Sequence, residues 1–141
     1  MHVMWGAALV LFVIVVVIAI RRLLRRRRYN KMLALPPAAS LKAFYLFFDK
    51  RLGLLGVKRN VSATPLEHAN NVSASVAPLE QGAQDDANYT QLAQAYSACA
   101  FGNVSPSDEA LACCKNLYAV FYKNARTYLG STRYLLCFFK L

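Results

Sequence analysis

The hydrophobic pattern of the chain changes character along its length. From Met1 to Ile20 the sequence reads MHVMWGAALVLFVIVVVIAI, and only His2 and Gly6 fall outside the hydrophobic set. A run apolar on every side has no face to offer water. As a helix rising 1.5 Å per residue it spans about 30 Å, the thickness of a hydrocarbon core. The β-branched stretch Val13 to Ile18 is a mediocre helix former in water. In lipid the backbone must satisfy its own hydrogen bonds, so helix prevails. Residues 1–20 are therefore read as a transmembrane helix. Residues 21–40 are a basic juxtamembrane segment, with a linker from Tyr29 to Ser40 whose Pro36-Pro37 pair blocks a continuous helix.

Beyond Ser40 the pattern becomes one-sided. Leu41, Phe44, Tyr45, Phe48, Leu52 and Leu55 recur at helical spacing, with Asp49, Lys50 and Arg51 largely on the other side and Gly56 as a stop. Thr64-Pro65-Leu66-Glu67 is a capping-box signature, with Thr64 at N-cap, Pro65 at N1 and Glu67 at N3. It predicts a helix from Pro65 to about Val76 that buries Leu66, Ala69, Val72 or Ser73, and Val76 and stops before Pro78. Residues 77–88 read as a loop. A further helix fits Asn88 to Phe101, with Tyr89, Leu92, Ala93, Tyr96, Cys99 and Ala100 inward and Gly102 as its C-cap. Ser105, Pro106 and Asp108 repeat the start signal, with Glu109 adding charge at the positive end of the dipole. The helix they open carries Leu111, Cys114, Leu117, Tyr118, Phe121, Ala125 and Tyr128.

The predicted fold class is all-α: one N-terminal transmembrane helix, then a bundle of about four helices over residues 41–129, then an apolar tail over residues 130–141. The tail segment Tyr134 to Phe139 is too short to span a bilayer.

Charge adds a direction. The net charge is +10 over 141 residues, but it is partitioned. Residues 1–20 carry none, residues 21–59 carry 12 basic and 1 acidic, residues 60–114 carry 6 acidic and no basic, and residues 115–141 carry 5 basic and no acidic. Arg21, Arg22, Arg25, Arg26, Arg27 and Arg28 follow the apolar run directly. By the positive-inside rule they hold the N-terminus outside and residues 21–141 in the cytoplasm, and they sit where anionic lipid headgroups lie. A secretory signal peptide has the reverse charge order and a small-residue cleavage site, which this segment lacks. Partition of the charge argues against a uniformly basic nucleic-acid binder. Asp85, Asp86, Asp108 and Glu109, in the acidic middle, form the candidate face for a basic protein partner.

Motifs for chemistry are sparse. Cys99, Cys113, Cys114 and Cys137 lack the C-x₂₋₄-C spacing of a zinc site, and Cys99 and Cys114 fall on apolar helix faces. His68 is expected to face solvent, and a Cys–His nucleophile would need it beside a buried thiol. Nothing calls for a cofactor or a metal, and no catalytic residue is assigned. Asn60, Asn71, Asn88 and Asn103 each begin an Asn-x-Ser/Thr glycosylation pattern. That pattern favours a luminal domain and opposes the arginine cluster, which acts through a field over the whole segment and takes precedence.

Leu52 to Gly56, Arg59, the Thr64 to Ala69 signature, Tyr96 to Gly102, and Ser105 with Asp108 follow one another in an order that resembles the cytoplasmic C-terminal domain of bacterial transglutaminase-like membrane proteins of the TgpA type. The resemblance spans about residues 3–123. It implies a domain of unknown function, the bacterial inner membrane, and partners such as a transglutaminase-like membrane protein or a MoxR-type AAA ATPase. The family's extracytoplasmic domain and its Cys-His-Asp site have no counterpart here, so the activity is not implied. The resemblance suggests a stand-alone version of the module, or the end of a split or truncated gene. The expected function is that of a non-enzymatic, single-pass membrane protein whose cytoplasmic bundle docks a membrane enzyme or an ATPase. The alternative is an accessory subunit of a larger membrane complex, held through its membrane helix and apolar tail.

Overall fold

In the computed structural model, residues 2–137 are described; for residues 2–4, 86, 131, 132 and 135–137 only the backbone is. Among them are five α-helices: α1 (His2–Leu33), α2 (Pro37–Leu54), α3 (Pro65–Glu80), α4 (Tyr89–Gly102) and α5 (Asp108–Cys137), with a short 3₁₀ turn at Gln84–Asp86. The protein is all-helical, an apolar N-terminal helix followed by a small bundle. It divides into two units, Met1–Leu35 and Pro36–Leu141.

Within the first unit, Trp5–Leu33 is long and apolar enough to cross a membrane, and none of its apolar window is buried. The helix continues through the whole arginine run, so the 29–40 linker shrinks to Ala34–Pro36. The reason is local. Arg, Leu, Lys and Met are good helix formers, and no breaker occurs before Pro36. Pro36 restricts the residue before it and Pro37 restricts Pro36, which ends α1. Pro37 then occupies the first turn of α2, where its missing amide costs nothing, so α2 starts earlier than the periodicity predicts.

Within the second unit, α4 and α5 pack on each other and on both α2 and α3. All six predicted inward residues of α2 and its exit, from Leu41 to Leu55, are buried. Phe47 joins them, against Tyr118 at 5.2 Å and edge-on to Phe48 at 5.3 Å. Arg51, expected outside, is buried too, its guanidinium 5.4 Å from the centre of the Phe47 ring. Phe48 meets Phe121 edge-on at 5.6 Å, joining α2 to α5. Tyr45 stacks on Tyr96 at 4.2 Å, joining α2 to α4. Leu92 and Ala93 of α4, Ala69, Val76 and Leu79 of α3, and Cys114, Leu117 and Ala125 of α5 complete the core.

The capping box forms as read. Thr64 Oγ1 accepts from the Glu67 amide at 3.3 Å, and Glu67 Oε2 accepts from the Thr64 amide at 2.8 Å. Those hydrogen bonds hold the Glu67 carboxyl below its ordinary pKa.

Three boundaries differ from expectation. First, α3 runs through Pro78 to Glu80. Pro78 and Ala74, whose carbonyl loses its helical amide partner, are both exposed, so the loss falls on the solvent side of the helix. The new end is tied down from α5, where Asn124 Nδ2 donates to Leu79 O at 3.0 Å and Gln81 O at 2.8 Å. Second, α4 keeps Gly102 and ends at Asn103, which takes the left-handed conformation that Asn tolerates. Ala100, expected inward, is exposed. Third, Ser105 and Pro106 precede α5 rather than cap it. Ser107 is the cap, its Oγ accepting from the Ala110 amide at 3.2 Å, and Asp108 is the first helical residue. The helix breaks at Gly130 (φ 70°, ψ 161°) and resumes to Cys137, so the first part of the expected tail is helical. Phe138 and Phe139 lie outside the described residues.

Candidate functional site

Two groups of polar residues in the bundle stand apart from the core. One was legible in the charge pattern; the other is assembled only by the fold.

The first is an open groove of about 740 Å³ between α4, the start of α5 and the 3₁₀ turn. Small residues line both sides of it: Ala95 and Ala98 on α4, Ala110 and Ala112 on α5. Its polar lining comes from Gln91, Gln94, Ser107, Asn116 and Cys113, and among the described side chains its carboxylates are Asp85 and Glu109. The turn that presents Asp85 is held from α5. Asn116 Nδ2 donates to Gln84 O at 3.3 Å and to Asp85 Oδ2 at 3.4 Å. Asp85 adopts φ 56°, ψ 34°, a left-handed conformation that Asp tolerates better than most residues. Glu109 sits in the first turn of α5, where the helix dipole favours negative charge. Of the four candidate acids, the fold therefore brings Asp85 and Glu109 to one groove. Asp108 is exposed at the helix start and does not line it. The Asp86 side chain lies outside the described residues.

Donors and acceptors next to Gln91 and Cys113 are already engaged in building the bundle. Asn88 Oδ1 caps α4 by accepting from the Gln91 amide at 2.9 Å. The Glu80 carboxylate accepts from the Tyr89 amide, and burial raises its pKa against that bond. Cys113 Sγ lies 3.6 Å from Asn88 O and 3.8 Å from Gln91 Oε1. Burial raises the Cys113 thiol and pushes Cys114 up to about 12. Both are protonated at neutral pH, so neither is an activated nucleophile.

The second group joins α2 to α3, which otherwise hardly touch. His68, expected at the surface, is only 3% exposed. Its Nε2 stands 3.9 Å from Asp49 Oδ1, too far for a direct hydrogen bond, and its ring meets Tyr89 edge-on at 6.3 Å. Arg59 Nη1 lies 3.8 Å from Asp49 Oδ2, and Arg59 Nη2 donates to Ala63 O at 3.3 Å. Burial holds the His68 pKa below its usual value; Asp49 pulls it up and Arg59 pushes it down. The imidazole is neutral at pH 7 and acts as a packed, polar joint beside Tyr45 and Tyr89. Tyr89 stacks on Tyr45 at 6.1 Å, and burial raises the phenol of each. Helical spacing placed Asp49 and Arg51 outside. The Thr64 to Ala69 signature did contain His68, but nothing in periodicity marked it as buried.

The glycosylation-like asparagines have structural work of their own. Asn88 caps α4, Asn103 ends it, and Asn60 Oδ1 accepts from the Ser62 amide at 3.2 Å in a local turn. Asn71 is exposed on α3. The six arginines of the juxtamembrane run all lie on α1, within one continuous helix with the apolar segment. Among the described residues, no group of three or more His, Cys, Asp or Glu side chains comes together in a way that could hold a metal ion. Set against known protein families, curated proteins and solved structures, the chain matches none of them.

Proposed function

We propose that this chain is a single-pass, non-enzymatic docking protein of the bacterial inner membrane. Its α4–α5 groove would receive a Lys/Arg-rich segment of a cytoplasmic or membrane partner. The observation that carries the reading is the convergence of Asp85 and Glu109, distant in sequence, on one groove lined by alanines. Small lining residues admit a partner backbone closely. Two carboxylates beside Gln91, Gln94 and Asn116 supply acceptors for guanidinium and ammonium groups. The same charge repels the phosphates of nucleic acid. Orientation follows the arginine run on α1, which holds the bundle in the cytoplasm. The motif order shared with the TgpA-type C-terminal domain points to a transglutaminase-like membrane protein or a MoxR-type AAA ATPase as the partner class.

A photo-crosslinking residue at Gln94, in the full chain in native membranes, tests this. A single cross-linked partner is expected, and it should be lost when Asp85 and Glu109 are both reversed to Lys. Recovery of the same adduct from the reversed chain would overturn the choice of groove.

A further inference from the structure

Charge on α5 is divided along its length. Asp108 and Glu109 are confined to the first turn, and every charged residue after them is basic. Lys115, Lys123 and Arg126 are exposed, and with exposed Ala119 they follow spacings of four, four and three, which is one helix face. None of the three has an ion-pair partner among the described residues. Favourable contact with the helix dipole accounts for Arg126, in the last turn before Gly130, but not for Lys115 and Lys123, which lie further from the end. Core packing does not account for them either, because the buried side of α5 is Cys113, Cys114, Leu117, Phe121 and Ala125.

We infer that this face of α5 rests on the anionic headgroup surface of the membrane that α1 enters. The inference depends on reading α1 as a membrane span. Thirteen helical residues of α1 beyond Ile20, about 20 Å, and the three-residue link Ala34–Pro36 lead from the apolar run to the bundle, so the bundle is tethered within about 30 Å of chain from the lipid. A tether this short keeps α5 at high effective concentration against headgroups, so a weak electrostatic contact suffices. The occupant is anionic lipid rather than an acidic protein because the tether supplies that surface continuously, whereas a protein ligand must be recruited. The contact holds the bundle in one orientation on the leaflet. It requires no apolar insertion, and it weakens as salt rises.

The full chain is reconstituted in nanodiscs of phosphatidylcholine alone or with phosphatidylglycerol, carrying a fluorescent amino acid at Ala119 or, as control, at Gln94. Headgroup-attached nitroxide lipid is the quencher. In anionic nanodiscs quenching at position 119 should exceed that at 94 by about twofold or more, and the difference should vanish in pure phosphatidylcholine. Replacing Lys115, Lys123 and Arg126 together by Glu, or more gently by Gln, should abolish it, and replacing both lysines by Arg should preserve it. Equal quenching at the two positions, or a difference indifferent to phosphatidylglycerol, overturns the inference without any variant. Incorporation into the nanodisc reads α1 separately, so failure of the span and failure of the α5 contact are told apart.

Discussion

Along α1, every side chain from Trp5 to Val16 is exposed within the structure. Along α2, residues 41–52 interrupt their apolar positions with Lys42, Asp49, Lys50 and Arg51 and bury Leu41, Phe44, Tyr45, Phe47, Phe48 and Leu52. The contrast lies in pattern as well as in amount. An all-round apolar helix has no polar face to turn to water, and α1 is long and apolar enough to cross a membrane. A one-sided helix directs its apolar residues to other helices and leaves Lys42 and Lys50 to water. Hydrophobicity thus sets two folding problems in one chain, and each is expected to be solved without the other.

That independence can be broken in two places. Phe48→Ala should remove about 3–5 kcal/mol from the bundle, read as a lower urea midpoint of the full chain in detergent, with membrane retention unchanged. Val15→Asp, near the middle of the apolar run, should cost about 3 kcal/mol of insertion and move the chain out of the carbonate-resistant fraction, with the urea midpoint of the bundle unchanged. Cross-effects in either direction would show that the two units do not fold separately.

A smaller effect sharpens the account of how the bundle's helices begin. Ser107→Ala should destabilise by about 1 kcal/mol, because its Oγ serves the Ala110 amide. Ser105→Ala should stay within about 0.5 kcal/mol, since it lies ahead of the helix. Equal losses from the two would restore Ser105 as the cap.

The smallest effect distinguishes the α2–α3 joint from the greasy core around it. His68 has a folded pKa below its ordinary 6.5, so the unfolded chain binds more protons in the interval between. Its contribution is complete above that ordinary value and declines as pH falls toward the folded one. Glu80, whose pKa is raised, contributes with the opposite slope, losing stability as pH rises through its folded value. Comparing urea midpoints of the native chain and His68→Phe between about pH 5 and 7 isolates the histidine, because Glu80 is common to both. A flatter acid limb is expected for His68→Phe, and an identical limb would mean that His68 is hydrated rather than buried.

Much of this fold was readable from local chemistry. The Thr64 box, the Asn88 start, the inward residues of α2 and the apolar α1 depend on spacing and on side-chain-to-backbone bonds a few residues apart. Two of the errors share a cause. Extension of α3 past Pro78 depends on Asn124, distant in sequence, reaching back to its last carbonyls. Burial of His68 depends on Tyr89, brought up from α4. Local rules cannot register partners that arrive from elsewhere in the chain. The start of α5 was a different failure, since Ser105 carries Pro106 and Asp108 at the positions of a start signal, yet Ser107 is the residue that caps the helix.

By itself the sequence determined that the chain has a lipid-length apolar helix, a run of arginines after it, a helical remainder and a sharp division of charge. Periodicity, capping and charge are properties of short segments, and they survive any arrangement of those segments. Only the tertiary structure decided that Asp85 and Glu109 share a groove, that Asp108 does not, and that Asp49, Arg59 and His68 meet. Those juxtapositions follow from how α2 to α5 interlock to bury their aromatic faces, a requirement that involves all four helices at once.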